Sequence, residues 1–115
     1  FVKPDHLWFE PRAMYVRDGE GIAIDEPVQL DELEPATGPF DDCFITDRPA
    51  TLVFGDVAVT ISSDADHWVV YDEPTHATCV EPQSGPPDAF NLRPRVLDPG
   101  ETLERTMLWA WTAPG

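Results

Sequence analysis

Glu81 is a residue whose type and setting suit acid–base chemistry. It follows the apolar pair Cys79-Val80 and precedes Pro82-Gln83-Ser84-Gly85-Pro86-Pro87-Asp88-Ala89-Phe90-Asn91. A carboxylate at a strand end, with its backbone held on both sides, is pre-positioned as a base or a ligand binder. An ordinary exposed glutamate at a strand end is the plainer reading. Gln83 lies two residues on and shares a side with Glu81 if the chain stays extended. Its amide suits a hydroxyl-rich ligand, or the loop backbone. Asp41 and Asp42 form a second cluster, within Gly38-Pro39-Phe40-Asp41-Asp42-Cys43-Phe44. Such carboxylates accept hydrogen bonds from vicinal sugar hydroxyls, or are simply solvated in an acidic loop. Trp8, Trp68 and Tyr71 can offer flat faces to a sugar ring, although core packing is the simpler role for each. A third cluster, His6-Leu7-Trp8-Phe9, sets a histidine among aromatics. His67 and His76, at a strand start and in a loop, read as surface residues.

The elements that must position these groups are strands. Thirteen prolines punctuate the 115 residues, and few stretches avoid Pro or Gly long enough for a three-turn helix. The apolar pattern has period two rather than 3.6. Strands are predicted over His6–Glu10, Ala13–Arg17, Gly21–Ile24, Cys43–Thr46, Thr51–Phe54, Val57–Ser62, Trp68–Tyr71 and Ala77–Val80. A tight hairpin is predicted at Gly55-Asp56, where glycine supplies a positive φ. Residues 25–42 read as a long acidic loop, and Pro82 to Pro87 as a rigid one. Glu101–Thr112 reads as a long final strand. Its Leu103, Met107, Trp109 and Trp111 would face a core. Eight or nine strands with regular turns predict an all-β fold, an antiparallel β-sandwich or a large open sheet, in a single domain.

Composition narrows the partners. There are 22 acidic side chains against 7 basic ones, a formal charge of -15. That field repels phosphates and anionic lipid, so nucleic acid is excluded as a partner. No run approaches roughly 18 apolar residues, so a membrane-spanning helix is excluded too. An apolar fraction of 42% with four tryptophans is enough to build a core. No spacing of Cys or His matches a metal site. Cys43 and Cys79 read as two buried free thiols, with a disulfide as the alternative. A cytoplasmic location is expected, because nothing marks the chain as secreted. The sequence starts at Phe1 without signal-peptide features, so a cut end is expected.

The stretch from Trp68 to Trp111 resembles the C-terminal part of the aldose 1-epimerase (galactose mutarotase-like) family. The resemblance is carried by Trp68-Val69-Val70-Tyr71, by Cys79 to Asn91, and by Asp98-Pro99-Gly100-Glu101. Phe40-Asp41-Asp42-Cys43-Phe44 fits the same family, so the similarity spans roughly residues 38–112. It implies an antiparallel β-sandwich of the galactose mutarotase-like type, here incomplete. It implies interconversion of α and β anomers of a hexose or other free aldose, with no cofactor and no metal. Glu81 would be the general base, and Asp41, with Asp42 as substitute, would bind the sugar. Gln83 would be a weaker contact. A histidine would protonate the ring oxygen. His6 is one candidate, since His6-Leu7-Trp8-Phe9 is similar to a family motif but lacks its proline. The other is a histidine preceding Phe1. The implied partners are a monosaccharide and either missing N-terminal strands or a second copy. A noncatalytic carbohydrate-binding module and a structural β-domain are the alternatives.

Overall fold

The computed structural model describes residues 2–30 and 38–113. Among these residues nine strands and one short helix follow in chain order. They are β1 (His6–Trp8), β2 (Ala13–Arg17), β3 (Ala23–Gln29), β4 (Asp41–Ile45), β5 (Ala50–Phe54), β6 (Val57–Ser63), β7 (His67–Tyr71), β8 (Cys79–Gln83), α1 (Ala89–Leu92) and β9 (Met107–Thr112). They build two antiparallel sheets, β1-β5-β6-β9 and β3-β2-β4-β7-β8. The all-β class and the sandwich-like arrangement of two sheets are as the period-two pattern predicts.

Alternation divides the five-stranded sheet into two faces. Trp68, Val70 and Phe44 point toward the other sheet. Trp68 joins Ala50, Leu52 and Ile61 in the inter-sheet core, with Leu7, Phe9, Phe54, Val59 and Val80 packed around them. Phe44 meets Phe9 and Phe40 edge to face, at 5.3 and 5.2 Å between ring centroids. The opposite, outer face is not bare. Tyr15, Ala23 and Cys43 form a second buried cluster there, joined by Ile45, Val69 and Leu92 of α1.

The hairpin β5–β6 forms as predicted, with Gly55 at φ 58° and Leu52 opposite Val59. Asp5 Oδ2 accepts the Gly55 N–H at 2.6 Å and ties the N-terminal arm to that turn. Lys3, the only lysine, donates to the carbonyls of Asp72 and Pro74. The long loop expected from residue 25 to 42 is shorter. β3 continues to Gln29 through Pro27, because β3 is an edge strand and its register slips between Met14 and Val16 of β2. A bulge on an edge tolerates proline. At the other end, Asp41 and Asp42 belong to β4, pairing with Tyr71 and Val70. Residues 31–37 of the expected loop lie outside the described residues.

Two further expectations need correction. β8 runs through Glu81, Pro82 and Gln83 rather than ending at Val80, which an edge position again permits. The last strand covers only Met107–Thr112, and every residue in it is exposed. Met107, Trp109 and Trp111 do share one face, but among the described residues nothing buries them.

Trp68 is 1% exposed, and its indole N–H has no hydrogen-bond partner among the described residues. Trp68→Ala is expected to cost about 3–5 kcal/mol of stability through the cavity it leaves. Trp68→Phe should cost clearly less, because it also removes an unpartnered donor. Urea denaturation followed by circular dichroism measures both. Equal losses for the two variants would contradict this account.

Candidate functional site

The register across β4, β7 and β8 decides where the chemistry-bearing side chains stand. Cys43 pairs with Val69, and Val69 with Glu81. Asp41 pairs with Tyr71, and His67 with Gln83. Asp41, Glu81, Gln83 and His67 therefore share the outer face with Cys43 and Val69. Glu81 is exposed at mid-strand, and Gln83 Nε2 donates to its Oε2 at 3.5 Å. Asp41 and Glu81 sit two strands and two residues apart, a backbone separation of about 12 Å from strand geometry.

Asp42 alternates to the opposite side, yet both aspartates are joined by Arg17 of β2. Its Nη1 lies 3.3 Å from Asp41 Oδ2 and its Nε 3.4 Å from Asp42 Oδ1. Glu73 Oε1 lies 3.8 Å from Nη2. One guanidinium thus serves three carboxylates, and its five donors in a planar fork suit that task. The structure therefore gathers the four predicted residues as two pairs, Asp41 with Asp42 and Glu81 with Gln83.

Between β2, β3 and β4 lies a recess of about 40 Å³, lined by Tyr15, Arg17, Gly21, Ala23, Asp41, Asp42, Cys43, Val69 and Pro87. Glu81 and Gln83 do not line it. A second space of about 140 Å³ opens between the sheets, beside Leu7, Phe9, Phe40 and Phe44. Both are below the roughly 300 Å³ at which closed small-molecule pockets begin. Any ligand of Glu81 and Asp41 would lie on an open face.

His67 corrects the sequence reading. It is 6% exposed, not a surface residue. Its Nδ1 lies 2.8 Å from Asp66 Oδ1, and its Nε2 3.2 Å from the Tyr15 hydroxyl. With Asp66 accepting from Nδ1–H, Nε2 is left to accept the Tyr15 O–H. The Tyr15 and His67 rings also stack, 5.8 Å apart. The signal was available: His67 alternates with Trp68, so if one faces one layer the other faces the second. His76 is exposed as expected. His6 is exposed on β1 of the other sheet, while its neighbours Leu7 and Phe9 pack inward. His6 and Glu81 thus stand on opposite outer surfaces of the sandwich, which removes His6 as the acid for Glu81. Trp68 is core, as expected. Trp8 and Tyr71 are exposed instead, Trp8 on the far sheet and Tyr71 on the same face as Asp41.

Both cysteines are free, and Cys43 is buried as expected, whereas Cys79, at the start of the edge strand β8, is only half-buried. Among the described residues no cluster of His, Cys, Asp and Glu is arranged to hold a metal ion. No helix among them is long and apolar enough to cross a membrane. Comparisons with family models, curated proteins and solved structures find no match in any of the three.

Two expectations follow. Arg17→Met leaves Asp41, Asp42 and Glu73 facing one another without their cation. Because these groups are partly solvated, the loss is expected to be about 0.5–1 kcal/mol at low salt. It should shrink in 1 M NaCl, which screens the repulsion. A loss independent of salt would mean that Arg17 acts through packing. The second concerns alkali. Burial pushes the Cys43 thiol up from its ordinary 9.0 to about 12. Burial also raises the Tyr15 phenol, against the opposing pull of Arg93. The folded chain holds these protons after the unfolded chain has lost them. Stability is therefore intact below pH 9 and lost as pH climbs toward 12, at about 1.4 kcal/mol per pH unit for the thiol alone. Urea midpoints between pH 8 and 11 test this. In the folded protein a thiol reagent should modify Cys79 before Cys43.

Proposed function

We propose that this chain is an aldose 1-epimerase-like domain, the C-terminal portion of one. It would present its sugar on the outer face of the five-stranded sheet. The observation that carries this reading is the register. Residues 40 positions apart, Asp41 and Glu81, come to the same face of one sheet, about 12 Å apart across the row of Val69, with Gln83 bonded to Glu81 and Arg17 holding the aspartates. These residue types in that arrangement suit a hydroxyl-rich, uncharged ring. The surrounding negative charge opposes an anionic one. Arg93, a candidate for holding a sugar phosphate, is paired with Glu26 at 3.1 Å.

In this reading Glu81 takes the proton of the anomeric hydroxyl. A separate acid gives one to the ring oxygen. The ring opens to the aldehyde, the C1–C2 bond rotates, and closure on the other face gives the other anomer. Each positioned acid or base contributes about 10²–10⁴-fold. Glu81 is exposed and free to approach a substrate, as a base must be. The acid is the missing half. His6 lies on the wrong sheet, and His67 is sealed between Asp66 and Tyr15. The chain alone should therefore turn over sugar poorly. The same fact favours the second reading, a noncatalytic carbohydrate-binding sandwich.

The test is chemical-shift mapping with glucose and galactose, combined with polarimetry. Sugar should perturb the backbone amides of Asp41, Val69, Glu81 and Gln83, while anomer exchange stays close to the uncatalysed rate. In a longer form that carries the acid, Glu81→Gln should keep binding and lose about 10²–10⁴ in kcat. Perturbations confined to the other sheet, or none at millimolar sugar, would overturn both readings. Binding with an unchanged kcat in Glu81→Gln would remove Glu81 from the role of base.

A further inference from the structure

The fold separates the three aromatic residues that could offer a face to a sugar ring. Trp68 is sealed in the core, and Trp8 lies on the other sheet. Tyr71 alone of the three stands with Asp41 and Glu81, and it is 37% exposed at the end of β7. The register fixes its neighbours. Asp41 is its direct partner on β4, and Cys79 its direct partner on β8. Glu81 lies two residues beyond Cys79, so it is the diagonal neighbour of Tyr71. Directly opposed Cβ atoms lie about 4.5–5.5 Å apart and diagonal residues about 7–8 Å apart, within reach of an aromatic side chain. One ring thus stands between the two carboxylates, in the gap of about 12 Å that separates their backbones.

The groups around that ring are already partly engaged. Arg17 takes Oδ2 of Asp41, and Gln83 takes Oε2 of Glu81. Among the described residues, Oδ1 of Asp41 and Oε1 of Glu81 are the oxygens left to accept from a ligand. Tyr71 stacks on no other aromatic ring among them. A pyranose has the matching polarity, with hydroxyls around its rim and C–H bonds on its faces. A flat ring flanked by carboxylate oxygens meets both. An organic cation also suits an aromatic face beside carboxylates. Here, however, the Arg17 guanidinium beside Asp41 repels a second cation, and a neutral ligand is favoured.

We propose that Tyr71 is the stacking platform of the sugar site. It receives the C–H face of a pyranose, while hydroxyls on the rim of the sugar reach Asp41 Oδ1 and Glu81 Oε1. The proposal rests on the reading of this face as a sugar site, and it names the class of sugar that the face selects. That class is the closed six-membered ring, with several C–H bonds held rigidly on one side. An open-chain alditol carries the same kind of hydroxyls and has no such face. It also loses more rotational freedom when it is held flat. The carboxylates alone would not tell the two apart; the aromatic ring does.

NMR titration of the full chain with glucose, galactose and glucitol tests this. The C–H protons of the two hexoses should move upfield and give cross-peaks to the Tyr71 ring, whereas glucitol should bind more weakly than glucose. These signals are read in the native chain, so they do not depend on how any variant folds. Tyr71→Phe keeps the face and should bind as the native chain does. Tyr71→Ala should weaken hexose binding by about threefold to tenfold and bring glucose close to glucitol. Trp8→Ala, on the other sheet, should leave binding unchanged. Glucose that shifts the amides of Asp41 and Glu81 without contacting the Tyr71 ring, or that binds Tyr71→Ala equally well, would overturn the platform and leave the sugar site standing. No shift on this face with either hexose would overturn both. So would tetramethylammonium binding there where glucose does not, since the face would then be a cation site.

Discussion

The pairing of β7 with β8 is the constraint on which the rest depends. It sets Val69 against Glu81 and Val70 against Val80. Side chains alternate with period two, so a slip of one residue would exchange the faces. Glu81 and Gln83 would then enter the space between the sheets, and Val80 and Pro82 would turn outward. A carboxylate and an amide would be buried without partners, and the inter-sheet core would lose an apolar wall. Val80, packed against the cluster around Trp68, holds the register against that slip.

The same constraint gives the outer face its mixed character. It is half core and half open surface. Tyr15, Cys43 and Leu92 close over one part, where Asp66 and Tyr15 occupy both nitrogens of His67. Glu81, Gln83 and Asp41 remain open on either side of it. Arg17 moderates the repulsion of the carboxylates it touches, which a surface this acidic would otherwise spread apart.

Much of this was legible in the residues. The hairpin about Gly55-Asp56 was readable because its turn chemistry is local and its flanks alternate cleanly. So was the burial of Trp68. Glu81 and Gln83 could be placed on one side because they are two apart. The limits of β3 and β8 could not be read, since proline is an obstacle inside a sheet and tolerable at its edge. Edge position is a property of neighbours far along the chain. His67 was misread for the same kind of reason: its partner Tyr15 lies 52 residues away. β9 shows the converse case. Its apolar alternation indicates which side faces the core, and does not indicate whether anything lies opposite.

What the amino-acid order determines by itself is period, turn placement and sign of charge, because each depends on residues within a few positions of one another. It therefore specifies an all-β chain, an acidic surface and the pairing of neighbours such as Glu81 with Gln83. Which strands lie beside which was decided by long-range burial. That decision brought Asp41 to the face of Glu81, sent His6 to the opposite surface and left Trp109 and Trp111 uncovered. Alternation assigns a side chain to a face, but only the packing of whole sheets determines what that face meets.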